Sequence, residues 1–78
     1  MEAKTLELIN AMEAERVRRG LNHQDFSTLL GITDSYWCMI RKGKRRPSLN
    51  LVATIHEQLP EVSIYADAYT RPRKEREG

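Results

Sequence analysis

The stretch Gly20-Leu21-Asn22-His23-Gln24-Asp25-Phe26-Ser27-Thr28-Leu29-Leu30-Gly31-Ile32-Thr33 decides how the chain is read. A short apolar helix is stopped by a glycine, and a threonine two residues later opens another. Asn22 is placed to cap the first of these helices, with Asp25 three residues on as the return partner of a capping box. Gly31 supplies the left-handed residue that closes it, and Thr33 caps its successor. Only Gly31, Ile32 and Thr33 separate the two, so helices over about residues 23–30 and 34–42 are predicted to cross steeply as a helix-turn-helix. The second helix carries Tyr36-Trp37-Cys38-Met39-Ile40 and runs into Arg41-Lys42-Gly43-Lys44-Arg45-Arg46-Pro47. A probing helix that ends in a basic loop suits a polyanion.

Seventy-eight residues, 40% of them hydrophobic and 31% charged, make one globular domain with a small core. The apolar residues fall at helical spacings without strand-like alternation, which predicts an all-α fold. No apolar run reaches the length of a membrane span, and the N-terminus lacks the pattern of a signal peptide, so a cytoplasmic location is expected. One cysteine, Cys38, and two scattered histidines offer neither a disulfide nor zinc-ligand spacing; no metal and no cofactor are expected. Cys38 as a nucleophile needs a positioned histidine, and His23 and His56 belong to other helices; an enzyme is not expected and no catalytic residue is assigned.

The net charge of +2 is unevenly spread. Residues 20–48 carry five bases against two acids, residues 49–70 three acids and no base, and residues 71–78 four bases against two acids. Positive charge thus gathers behind the probing helix and in the tail, as in a nucleic-acid footprint. A first helix over about 3–19 places Leu6, Leu8, Ile9, Met12 and Val17 on one stripe with Arg16 in its middle, so Arg16 is not simply solvated. Phe26, Leu29 and Leu30 face inward from the next helix, where Ser27 is small enough to admit its neighbour. Trp37 and Ile40 form the inner face of the third. Ser48 caps a fourth helix with Leu51, Val52, Ile55 and Leu59 as its core stripe, Pro60 ends it, and a short fifth helix spans about 61–69. The division expected is a domain over 1–70 and a charged, flexible tail over 71–78.

Several of these residues together resemble the phage-repressor and Cro type of helix-turn-helix protein, the XRE-like family. The match runs from about Met12 to Pro60. It rests on Arg16 and Gly20 ahead of the motif, the Gly31-Ile32-Thr33 turn, apolar Trp37 and Ile40, and the run Lys42-Gly43-Lys44-Arg45-Arg46-Pro47-Ser48, which is similar to the family's Gly-Lys-basic-x-Pro-Ser loop. The resemblance implies a compact five-helix, lambda-repressor-like domain that binds operators as a dimer. It also implies phosphate contacts from the start of the second helix and from the loop after the third. Three departures stand out. The family's phosphate-binding Gln falls at His23, with Gln24 one residue later; the acid that the family pairs with its first-helix arginine is replaced by Arg41, so that Arg16 and Arg41 either repel or one of them turns to DNA; and the outward face of the third helix lacks the Gln, Arg or Asn of strong bidentate base contacts.

Taken together, these features predict a sequence-specific double-stranded DNA-binding regulator, repressor-like and of phage or mobile-element type, acting as a homodimer on an operator. Asp34, Ser35, Tyr36 and Met39 are the expected base contacts; His23, Gln24, Lys42, Lys44, Arg45 and Arg46 the expected phosphate contacts. Asp34 serves equally as a helix-dipole partner, and Tyr36 has packing on Phe26 or the loop as its other use. Tyr65 and Tyr69, four apart, either finish the core or form a dimer seam. Two other readings use the same scaffold: a protein-interaction module of antitoxin-like or polymerase-associated type that docks a protein partner through Tyr36, Trp37 and Met39, and a sequence-blind DNA binder.

Overall fold

The computed structural model describes residues 2–71. These form five α-helices and no strand: α1 (Ala3–Arg18), α2 (His23–Leu30), α3 (Asp34–Arg41), α4 (Leu49–Gln58) and α5 (Ser63–Thr70), with a single 3-10 turn at Pro60–Val62 between the last two. The tail expected to be flexible lies, from residue 72 on, outside the described residues. The described helices are too short or too polar to cross a membrane.

The helix boundaries follow local chemistry. The Asn22 side chain accepts the Asp25 N–H at 2.7 Å and Thr33 Oγ1 accepts the Tyr36 N–H at 3.0 Å, so both expected caps are in place. Ser48 Oγ likewise accepts the Leu51 N–H and opens α4. Gly31 sits at φ 71 and ends α2, with its own N–H returned to the Thr28 carbonyl and the Ile32 N–H to that of Ser27. Nothing crowds a Cβ at Gly31; the left-handed backbone alone selects glycine there.

One core unites all five helices. It holds Leu8, Ile9 and Met12 from α1, Phe26 and Leu30 from α2, Trp37 and Ile40 from α3, Leu51, Val52 and Ile55 from α4, then Leu59, Val62 and Ala66. The whole α4 stripe is buried as expected. Trp37 is fully buried, its ring 5.1 Å from that of Phe26 between centroids. Ser27 is 1% exposed, consistent with its role as the small residue where α2 meets α3.

The α1 stripe needs correcting at both ends. Leu6 is 45% and Val17 64% exposed, while Thr5 and Glu15 are buried in their stead. Hydropathy misplaced the inner face because Glu15 enters it only with its charge matched: Arg18 Nε and Arg19 Nε donate to it at 3.0 and 2.6 Å. These hydrogen bonds outweigh the desolvation of the carboxylate and lower its pKa to about 2. The fifth helix also begins later than expected. Pro60 opens a 3-10 turn, and burial falls on Val62 and Ala66, leaving Ile64 and Tyr65 exposed.

Candidate nucleic-acid interface

The loop that follows α3 is shaped by glycine, by proline and by two tyrosines. Gly43, at φ 78, turns the chain back, and the Lys44 N–H bonds the Met39 carbonyl at 2.8 Å. Pro47 is buried at the far end of the loop. The Tyr36 hydroxyl donates to the Arg46 carbonyl and accepts the Ser48 N–H, each at 3.1 Å. From the other side of Pro47, the Tyr69 hydroxyl donates to the Pro47 carbonyl at 2.8 Å. Three consecutive backbone groups are therefore held by side chains from α3 and α5, which fixes a segment with no regular structure of its own. Burial raises the pKa of the Tyr69 phenol, so the hydroxyl keeps its proton and its donor role.

On this frame stand the basic side chains. Lys42, Lys44, Arg45 and Arg46 are all exposed. Arg46 lies 3.6 Å from Glu2. Among the described residues no carboxylate is within ion-pair distance of Lys42, Lys44 or Arg45. Like charges crowded into so short a loop repel one another, so the arrangement gains from any polyanion laid against it.

The outer side of α3 presents Asp34 and Ser35, both exposed, and Met39 at 41% exposure, with Cys38 half-buried between them. Tyr36 departs from that set: it packs against the core, and its hydroxyl is engaged in the loop. At the start of α2, Gln24 is exposed and His23 half-buried. The Trp37 indole N–H donates to His23 Nδ1 at 3.1 Å, which satisfies the polar atom of the buried tryptophan. With Nδ1 accepting, the N–H of the His23 ring is on Nε2, at the first residue of the helix.

Behind α2 and α3 a charged network ties α1 to the two helices. Arg16 Nε donates to Glu13 Oε1 and Arg16 Nη1 to the Leu21 carbonyl, both at 2.8 Å, which anchors the turn before α2. Of the two outcomes expected for Arg16 and Arg41, the repulsion is offset by Glu13, whose other oxygen lies 3.8 Å from Arg41 Nε. Sequence reasoning missed this because the acid comes from α1 itself, three residues before Arg16, and not from α3. Of the two tyrosines considered for a seam, Tyr69 is half-buried against the core, and Tyr65 is exposed beside Glu7, Asn10 and Ala11 in an open groove of about 320 Å³. No group of three or more His, Cys, Asp or Glu capable of holding a metal occurs among the described residues.

No family model, curated protein or solved structure matches this chain.

Proposed function

We propose that the protein is a double-stranded DNA-binding regulator of repressor-like type, in which α2 and α3 act as a helix-turn-helix. In this reading α3 enters the major groove and the loop after it grips the flanking phosphates. The observation that carries the proposal is the pinned basic loop: Lys42, Lys44 and Arg45 have no acid partner among the described residues, yet the backbone beside them is held by Tyr36 and Tyr69. Ordering a surplus of charge has a use when the counter-charge comes from outside. His23 Nε2 and Gln24 add donors at the start of α2, where the helix dipole also favours an anion.

Base readout then falls to Asp34, Ser35 and Met39, suited respectively to a cytosine amino group, to either donor or acceptor, and to a thymine methyl. Tyr36 acts on the loop rather than on a base. A symmetric dimer would dock two copies of α3 on half-sites about 10 bp apart, with Tyr65 as a candidate seam residue. The second reading, a protein-interaction module, draws on the exposed Met39 and on the lack of bidentate base-reading side chains along α3.

Binding of a random duplex pool across a range of salt tests both. Four to six phosphate contacts per monomer give a slope of log affinity against log salt of roughly −4 to −5, at about −0.9 per contact. Combined Lys44→Ala, Arg45→Ala and Arg46→Ala substitution should weaken all duplexes alike and flatten that slope by roughly 2 to 3. An enriched inverted repeat supports a sequence-specific regulator, whereas salt-dependent binding with no enriched motif points to the sequence-blind binder. Absence of salt-dependent binding leaves the interaction module as the better reading.

A further inference from the structure

The loop is not the whole cationic surface around α3. Arg41 lies in the last turn of the helix, and its side chain is 28% exposed. Its guanidinium carbon lies 5.7 Å from the Trp37 ring centroid, on the same indole that His23 engages through its N–H. The Nε atom is buried and has no hydrogen-bond partner. Glu13 Oε2 stands 3.8 Å away, near enough to attract and too far to accept a hydrogen bond. Glu13 cannot close that gap freely, because its other oxygen is bound to Arg16 at 2.8 Å and Arg16 in turn holds the Leu21 carbonyl.

The contrast with Arg18 and Arg19 is informative. Both donate hydrogen bonds to the Glu15 carboxylate, and Arg19 also donates to the Gln58 carbonyl. Arg41 has an acid beside it and no hydrogen bond from Nε. Buried donors left open in this way call for an explanation. It also stands next to Lys42, at the start of the row of cations that continues through Lys44 and Arg45.

We propose that Arg41 exchanges Glu13 for a DNA phosphate on binding, with Glu13 as the positioning residue that parks the guanidinium against Trp37 until then. The inference rests on the DNA-binding reading above. A phosphodiester presents two non-bridging oxygens to the planar guanidinium fork, a bidentate match that a carboxylate already engaged by Arg16 does not provide.

The test measures binding to a random duplex at several salt concentrations for the parent, Arg41→Gln, Glu13→Gln and, as a control for net charge, Glu57→Gln, an exposed position away from the candidate interface and seam, with the melting of each followed by circular dichroism. Arg41→Gln should lose about 0.9 from the magnitude of the salt slope per monomer. Glu13→Gln, which still accepts from Arg16 but no longer competes for Arg41, should bind severalfold more tightly, and Glu57→Gln should not. If Arg41→Gln folds and keeps the parental slope, the proposal is overturned while the DNA reading stands. Should Arg41→Gln fail to fold, Glu13→Gln decides: binding no tighter than that of Glu57→Gln overturns the exchange. A parent that binds no duplex at any salt overturns both readings.

Discussion

The C-terminal end of α1 and the loop after α3 are both rich in arginine and use it in opposite ways. Arg18 and Arg19 converge on the buried carboxylate of Glu15, with Glu61 at 3.6 and 3.8 Å as a second acid. Arg19 also donates to the Gln58 carbonyl, so the cluster joins α1 to the end of α4. Here positive charge is matched within the chain and serves the fold. In the loop, Lys42, Lys44 and Arg45 have no such acid among the described residues, and the backbone is held by neutral tyrosine hydroxyls instead. The difference teaches that the formal charge of a segment says little about its role until its partners are known.

Both regions depend on one core, and its loss should produce the largest effect. Trp37→Ala removes a fully buried indole and, with it, the contact that seats α3 on Phe26. A loss of about 3 to 5 kcal/mol is expected in urea unfolding, and unchanged stability would show that the indole is a contact group rather than a structural one.

Glu15→Gln probes the matched end. Because hydrogen bonds from Arg18 and Arg19 lower the folded-state pKa of Glu15 from 4.5 to about 2, its contribution is complete above pH 4.5 and vanishes as pH falls through 2. The variant should therefore melt below the parent at neutral pH, and the gap should close across that acid range. A gap that persists at pH 2 would assign the effect to packing instead of charge.

The hydroxyls of the loop come next. Tyr69→Phe deletes one neutral hydrogen bond, a loss of about 0.5 to 1.5 kcal/mol in thermal or urea unfolding. Tyr36→Phe should weigh more, since it also leaves the Ser48 N–H without its acceptor. If Tyr36→Phe lowers duplex affinity while leaving the salt slope unchanged, its role is to position the loop.

The smallest effect sharpens the comparison most. Lys44→Ala with Arg45→Ala should change folding stability by no more than about 0.5 kcal/mol, as for exposed side chains without partners. A marked loss of stability would mean that these cations serve the fold as Arg18 and Arg19 do; a gain would reflect relief of their mutual repulsion.

Much of the architecture was legible because it rests on interactions within one turn of the chain. Asn22, Thr33 and Ser48 cap the helices they precede, and Gly31 closes α2, since a cap needs only a side-chain oxygen or a permissive backbone at a fixed offset. The inner faces of α3 and α4 followed from spacing alone. On α1 the same reasoning failed at Leu6, Val17 and Glu15. Spacing ranks residues by hydropathy and gives no weight to a carboxylate that reaches the interior with two arginines.

The candidate interface divides along the same line. Sequence by itself determined that the positive charge of residues 20–48 gathers directly behind α3, because order along the chain is retained whatever the fold. Tertiary structure alone decided what that charge is tied to. The pairing of Tyr36 with Arg46 and Ser48, of Tyr69 with Pro47, of Trp37 with His23 and of Arg41 with Glu13 spans 10 to 28 positions of sequence or joins separate helices. Hydrogen bonds act over about 3 Å, so such partners are set by how the helices pack and not by the local order of residues.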